Sequence, residues 1–134
     1  MIFSTRTTYG LRAMINLAKQ EKLGSVSLSA IAKEEKISLK YLERLFANLK
    51  KAGLVRSVKG ASGGYSLTKS AKQINIYDII NALEGKLSPF HCSSGKNEKI
   101  FCSSTCNCEV TQVLVKVERA INSTLKDIKL SQLL

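Results

Sequence analysis

The sequence predicts a mainly α-helical fold with one small β-hairpin and a long final helix. Three observations carry this. Two short helical patterns meet at a tight turn, Glu35-Lys36-Ile37, and the second is basic outside its apolar face. A strand, a turn with three glycines and a second strand follow directly. Residues 109–128 then repeat apolar side chains at three- and four-residue spacing. Helix, turn, basic helix and hairpin in that order make a winged helix-turn-helix. The last helix makes a dimerisation element.

Each element has its own signals. Ser4 can cap a helix running to about Lys19, with Tyr9, Leu11, Met14, Ile15 and Ala18 as its apolar stripe. Gly24 and Ser25 break it. A second helix starts near Ser27 and carries Leu28, Ile31 and Ala32. Ser38 caps a third, Leu39 to Ala52, whose buried face is Leu42, Leu45, Phe46 and Leu49. Lys40, Tyr41, Glu43, Arg44, Asn48, Lys50 and Lys51 fall largely outside that face, and Gly53 stands where a left-handed residue would stop the helix. Leu54–Val58 alternates like a strand, Lys59–Gly64 is the turn, and Tyr65–Leu67 is the return strand. Asn75 caps Ile76–Leu83, which Gly85 ends. A loop from roughly Lys86 to Asn107 leads to the helix Glu109–Ile128. The apolar residues of that helix are Val110, Val113, Leu114, Val117, Ile121, Leu125 and Ile128, read as one continuous stripe.

Charge divides the chain. The net charge is +11. Residues 1–72 hold 14 Lys and Arg against 4 Asp and Glu, whereas residues 73–134 hold 7 against 6. A basic half beside a nearly neutral half points to a polyanion-binding region, 1–72, and a region with another task, 73–134, in one compact chain. No run of about 18 apolar residues is present, so no membrane span is expected. The first residues, MIFSTRTTYG, lack a secretory signal pattern, which points to a cytoplasmic protein. No paired carboxylates, Ser-His-Asp set or phosphate loop appears, which argues against an enzyme.

The cysteines define a second site. All four, Cys92, Cys102, Cys106 and Cys108, lie within 17 residues, and the single histidine, His91, adjoins the first. Thiolates gathered in a polar loop suit a soft metal or an iron–sulfur cluster. Zinc on the four cysteines is a second reading, although its usual C-x2-C pairs are absent. A thiol–disulfide sensor using Cys106 or Cys108 is a third.

With these pieces in place, the chain resembles the Rrf family of bacterial winged-helix regulators. The resemblance rests on Tyr9-Gly10-Leu11-Arg12-Ala13-Met14 and on Ile37-Ser38-Leu39-Lys40-Tyr41-Leu42-Glu43-Arg44-Leu45-Phe46. It continues through Leu49-Lys50-Lys51-Ala52-Gly53-Leu54-Val55 and the hairpin Lys59-Gly60-Ala61-Ser62-Gly63-Gly64-Tyr65-Ser66-Leu67. It implies a homodimeric transcription regulator that binds double-stranded DNA. It also implies an iron–sulfur cluster on three cysteines, the last two separated by five residues, which selects Cys92, Cys102 and Cys108 and leaves Cys106 as an extra. Cluster-binding relatives complete the site with a histidine three residues after the last cysteine, and here that position is Thr111. His91, Cys106, Glu109, Thr111, a residue of the partner subunit or a small molecule could supply the fourth ligand, and the two-iron and four-iron types both stay open. Members that govern cysteine metabolism respond instead by binding a protein partner.

The candidate DNA-contacting residues are Ser38, Lys40, Tyr41, Glu43 and Arg44 on the third helix, with Lys59 and Gly60 at the hairpin turn. Lys40, Tyr41 and Arg44 can reach phosphate or base edges. Arginine pairs bidentately with guanine, and a glutamate accepts from the cytosine amino group. Lys59 suits the minor groove or a phosphate, and a glycine beside it permits close backbone approach.

Overall fold

The computed structural model describes residues 3–60, 63–85 and 109–134. Three helices open the chain, each started by a serine. Helix α1 (Thr5–Gln20) begins at Ser4, whose hydroxyl accepts from the Arg6 amide. Helix α2 (Leu28–Glu35) begins at Ser27, which accepts from the Ala30 amide at 3.2 Å. Helix α3 (Leu39–Lys51) begins at Ser38, which accepts from the Tyr41 amide at 3.4 Å. Each hydroxyl satisfies an amide that a helix start leaves without an internal partner. The turn between α2 and α3 passes through Lys36 at φ 56°, a left-handed conformation that costs a lysine about 1–2 kcal/mol. The next residue, Ile37, is buried and anchors that turn.

Strands β1 (Val55–Val58) and β2 (Gly64–Leu67) pair antiparallel, Val55 opposite Leu67 and Val58 opposite Gly64. A third chain segment joins their edge. The Val26 amide donates to the Tyr65 carbonyl at 3.0 Å, and the Tyr65 amide donates back to Val26 at 2.8 Å. This requires glycine at position 64, where a Cβ would stand 2.8 Å from the Ser27 nitrogen and closer still to the Val26 carbonyl. Phe46 of α3 meets the Tyr65 ring edge-on at 5.1 Å, so the recognition-type helix and the hairpin share a core contact.

Helix α4 (Ile76–Glu84), capped by Asn75 accepting from Asp78 at 2.8 Å, lies against α1 and α3. Its Ile76, Ile79, Ile80 and Leu83 enter the same core as Met14, Leu17 and Phe46. Gly10 lets α1 approach it, since a Cβ there would sit 2.9 Å from Leu83 Cδ2. Helix α5 (Glu109–Asp127) packs on α4, with Lys126 Nζ 4.7 Å from the Tyr77 ring centre. The chain then turns back through a short 3-10 helix, Leu130–Leu133. Leu130 is fully buried, and its amide donates to the Ile74 carbonyl at 2.8 Å.

Helix α5 departs from the continuous stripe expected of it. None of its residues is buried. Leu125 and Ile128 pack against the core, and Leu114 and Ile121 are half-buried. Val110, Val113 and Val117 remain 61%, 63% and 45% exposed. The apolar pattern is two adjoining stripes, one facing the body of the molecule and one facing outward. The outward one continues through Ala120 and Thr124, both exposed, at alternating three- and four-residue steps.

Candidate nucleic-acid interface

The outer face of α3 gathers the predicted side chains. Ser38, Lys40, Glu43 and Arg44 are all exposed there. The first turn of α3 holds no acidic residue. Lys40 therefore adds its charge to the positive end of the helix dipole, which opposes helix stability and favours an approaching anion.

Tyr41 differs from its neighbours. It is half-buried, and its ring meets Tyr9 of α1 edge-on at 6.0 Å with planes 88° apart. Arg12 lies over the same Tyr9 ring at 5.9 Å. Its Nε donates to Glu35 Oε2 at 3.0 Å, and its Nη2 donates to the Glu35 carbonyl at 2.7 Å. Asn16 Nδ2 donates to Glu35 Oε1 at 2.9 Å. Helix α1 thus grips the end of α2 through Glu35 and the start of α3 through Tyr41, holding the turn between them. Arg12, Asn16 and Glu35 are not among the candidate DNA-contacting residues. No local spacing marks them, since Arg12 and Asn16 meet Glu35 across 23 and 19 residues of chain.

At the hairpin, Lys59 and Gly60 are exposed, and Gly60 has φ 128°, which a side chain rarely tolerates. The Gly63 amide donates to the Gly60 carbonyl at 2.9 Å, and a Cβ on Gly63 would lie 2.7 Å from the Val58 carbonyl oxygen. The backbone of Val58, Gly60 and Gly63 is therefore close-packed beside Lys59. Lys50 Nζ donates to Ser57 Oγ at 2.9 Å, and Arg56 Nε donates to Ser66 Oγ at 3.0 Å. These two cations are tied to the hairpin rather than free to reach outward.

Away from this face, one carboxylate joins the end of α4 to the start of α1. Glu84 Oε1 accepts from the Ser4 amide at 2.9 Å, from the Ser4 hydroxyl, and from Thr7 Oγ1 at 2.7 Å. Its other oxygen is 3.3 Å from Arg6 Nη2, and its side chain is 9% exposed. Burial pushes its pKa up, but the hydrogen bonds from Ser4 and Thr7 and the Arg6 charge outweigh it. The carboxyl is held below the usual glutamate value.

Cys92, Cys102, Cys106, Cys108 and His91 lie outside the described residues. The two remaining candidate ligands open α5, Glu109 exposed and Thr111 half-buried. Among the described residues no three His, Cys, Asp or Glu side chains stand together as a metal site. No described helix is long and apolar enough to cross a membrane.

Comparison with known proteins supplies the context. The profile of the Rrf2 family, described as an iron-dependent transcriptional regulator, matches residues 3–134. Protein rrf2 of Nitratidesulfovibrio vulgaris is 33% identical over 134 residues, all of this chain and 87% of that protein. The solved structure of T. potens IscR superposes with a TM-score of 0.77 at 39% identity, over 98% of this chain and 84% of that one. The transcriptional regulator CymR of Bacillus subtilis is 47% identical over 89 residues, 66% of this chain and 64% of that protein. Its solved structure, described as the global cysteine regulator, has a TM-score of 0.78 at 35% identity, over 98% of this chain and 94% of that one.

Proposed function

Because the chain belongs to the Rrf2 family of transcriptional regulators, which are not enzymes, we propose that it is a cytoplasmic homodimer that binds an inverted-repeat duplex and answers to an iron–sulfur cluster on Cys92, Cys102 and Cys108. The observation that supports DNA binding is the exposed Lys40–Glu43–Arg44 face of α3, fixed from behind by Tyr9, Arg12 and Glu35. In this reading α3 enters the major groove, Lys40 and Arg44 meet phosphate or guanine, and Glu43 accepts from cytosine. Lys59 and the backbone at Gly60 follow the adjoining phosphates or minor groove. Residues 1–72 do this work, while residues 73–134 sense and dimerise. The outward valines of α5 form the subunit contact, so two recognition helices meet two half-sites.

The donor set fits a cluster. Cysteine thiolate is the standard ligand of iron–sulfur centres, and Cys92, Cys102 and Cys108 supply three at the family spacing. Thr111 stands where cluster-binding relatives place a histidine, so the fourth ligand is open to His91, Cys106, Glu109, Thr111, a residue of the partner subunit or a small molecule. When bound, such a cluster supplies a redox- and ligand-sensitive centre. The protein's own part is to present the thiolates directly before α5, the helix that bears the subunit contact.

A second reading is favoured by the likeness to CymR and by Thr111: the same fold responding through thiol oxidation, zinc or a bound metabolic enzyme. Anaerobic purification separates the two. Visible absorbance with matching iron and sulfide supports the cluster. Colourless protein that holds zinc, forms a disulfide or captures a cysteine-metabolising enzyme contradicts it.

A further inference from the structure

Leu39 opens α3, and 39% of its surface is exposed. A single exposed leucine is ordinary on a protein surface, but the position of this one is not. At the first residue of a helix an acid or a proline would favour the fold, and leucine gains nothing from the dipole. Leu39 and Glu43 are four residues apart, so they share one edge of the helix. Ala47, four further on, is exposed and adds no bulk. The N-terminal residues of a recognition helix are those that meet base edges. In this first turn Lys40 is the cation, Glu43 begins the next turn as the acceptor, and Leu39 is the one exposed aliphatic side chain beside them. The major groove offers one prominent apolar group, the thymine 5-methyl.

We propose that Leu39 reads a thymine methyl next to the base pair faced by Glu43, and that it sets sequence choice together with that glutamate. This rests on the DNA-binding reading above. Affinity that Lys40, Arg44 and Lys59 draw from phosphates is shared by any duplex, whereas a buried methyl is present only at thymine.

The test uses the full chain and a duplex selected by it from a random-sequence pool. Each thymine of that duplex is replaced in turn by deoxyuridine, which removes only the methyl. The proposal expects one thymine in each half-site whose replacement weakens wild-type binding about fourfold, the worth of burying one methyl group. Leu39→Ala should bind the thymine and deoxyuridine duplexes alike, and Leu39→Met should keep the sensitivity. Uniform binding of every deoxyuridine duplex by the wild type, or an equal loss in Leu39→Ala, overturns the proposal and leaves the DNA-binding reading standing. A pool that yields no preferred sequence overturns both.

Discussion

Glu84→Gln should destabilise the protein by about 1–2 kcal/mol at neutral pH, and the loss should disappear in acid. The substitution keeps the shape of the side chain and removes its charge. Three donors converge on Glu84 Oε1, namely the Ser4 amide, the Ser4 hydroxyl and Thr7 Oγ1. A neutral amide oxygen still accepts, but charge-assisted bonds are about twice as strong as neutral ones. The amide nitrogen would also face Arg6, now 3.3 Å from Glu84 Oε2, although Arg6 is 52% exposed and that pair contributes less than about 1 kcal/mol. The carboxylate sits at the N-terminus of α1, where negative charge adds roughly 0.3–1 kcal/mol. The pH dependence follows from the lowered pKa. A carboxyl with a folded pKa below its unfolded value, about 4.3 for glutamate, stabilises the fold above that value. The contribution is lost as pH falls through the lower folded value, where Glu84 becomes neutral like the glutamine. Urea unfolding of both proteins, at neutral pH and across the acid range, reads the difference as a shift in midpoint at constant slope. Equal midpoints at neutral pH, or a gap that persists undiminished in acid, would refute the reasoning.

Other outcomes follow from the same structure. Val117→Asp, on the outward stripe of α5, should give a folded monomer by sedimentation with intact helical circular dichroism; a stable dimer would remove α5 from the interface. Ile121→Asp, half-buried on the inner stripe, should lower the urea midpoint as well. Lys59→Ala should weaken binding to every duplex and reduce the salt slope by about 1 for each half-site. Glu43→Ala should relax the preference at one base pair, worth roughly 1–3 kcal/mol; an equal loss for all sequences would exclude it from readout.

Much of the fold is legible in residues whose roles are local. Ser4, Ser27 and Ser38 mark three helix starts because a serine hydroxyl serves an unpaired amide wherever it occurs. Gly53 marks the end of α3 because its φ of 77° disfavours a side chain. What stayed hidden depends on partners far apart in the chain. The pairing of Val26 with Tyr65 has no local pattern, since a single valine after Gly24-Ser25 carries no period. The return of Leu130 to the Ile74 carbonyl is equally silent in sequence. The division of α5 into two stripes could not be read from spacing, because neighbouring 3.6-residue stripes merge when both are apolar. At the interface, Lys40, Glu43 and Arg44 could be found by excluding the buried face of α3. Arg12 and Glu35 could not, because their meaning lies in each other, 23 residues apart.

In the proposed function, the three cysteines at family spacing govern DNA binding. The decisive measurement is anaerobic reconstitution of the wild type and of Cys92→Ala, Cys102→Ala, Cys106→Ala and Cys108→Ala, with iron, sulfide and affinity for the selected duplex read on each. The wild type and Cys106→Ala should take up iron and sulfide, absorb in the visible and share one duplex affinity. The other three should lose most iron, keep the winged helix folded and shift together to a different affinity, by about 5–150-fold. A cluster retained in full by Cys92→Ala, a loss confined to Cys106→Ala, or one duplex affinity across all five proteins would contradict it.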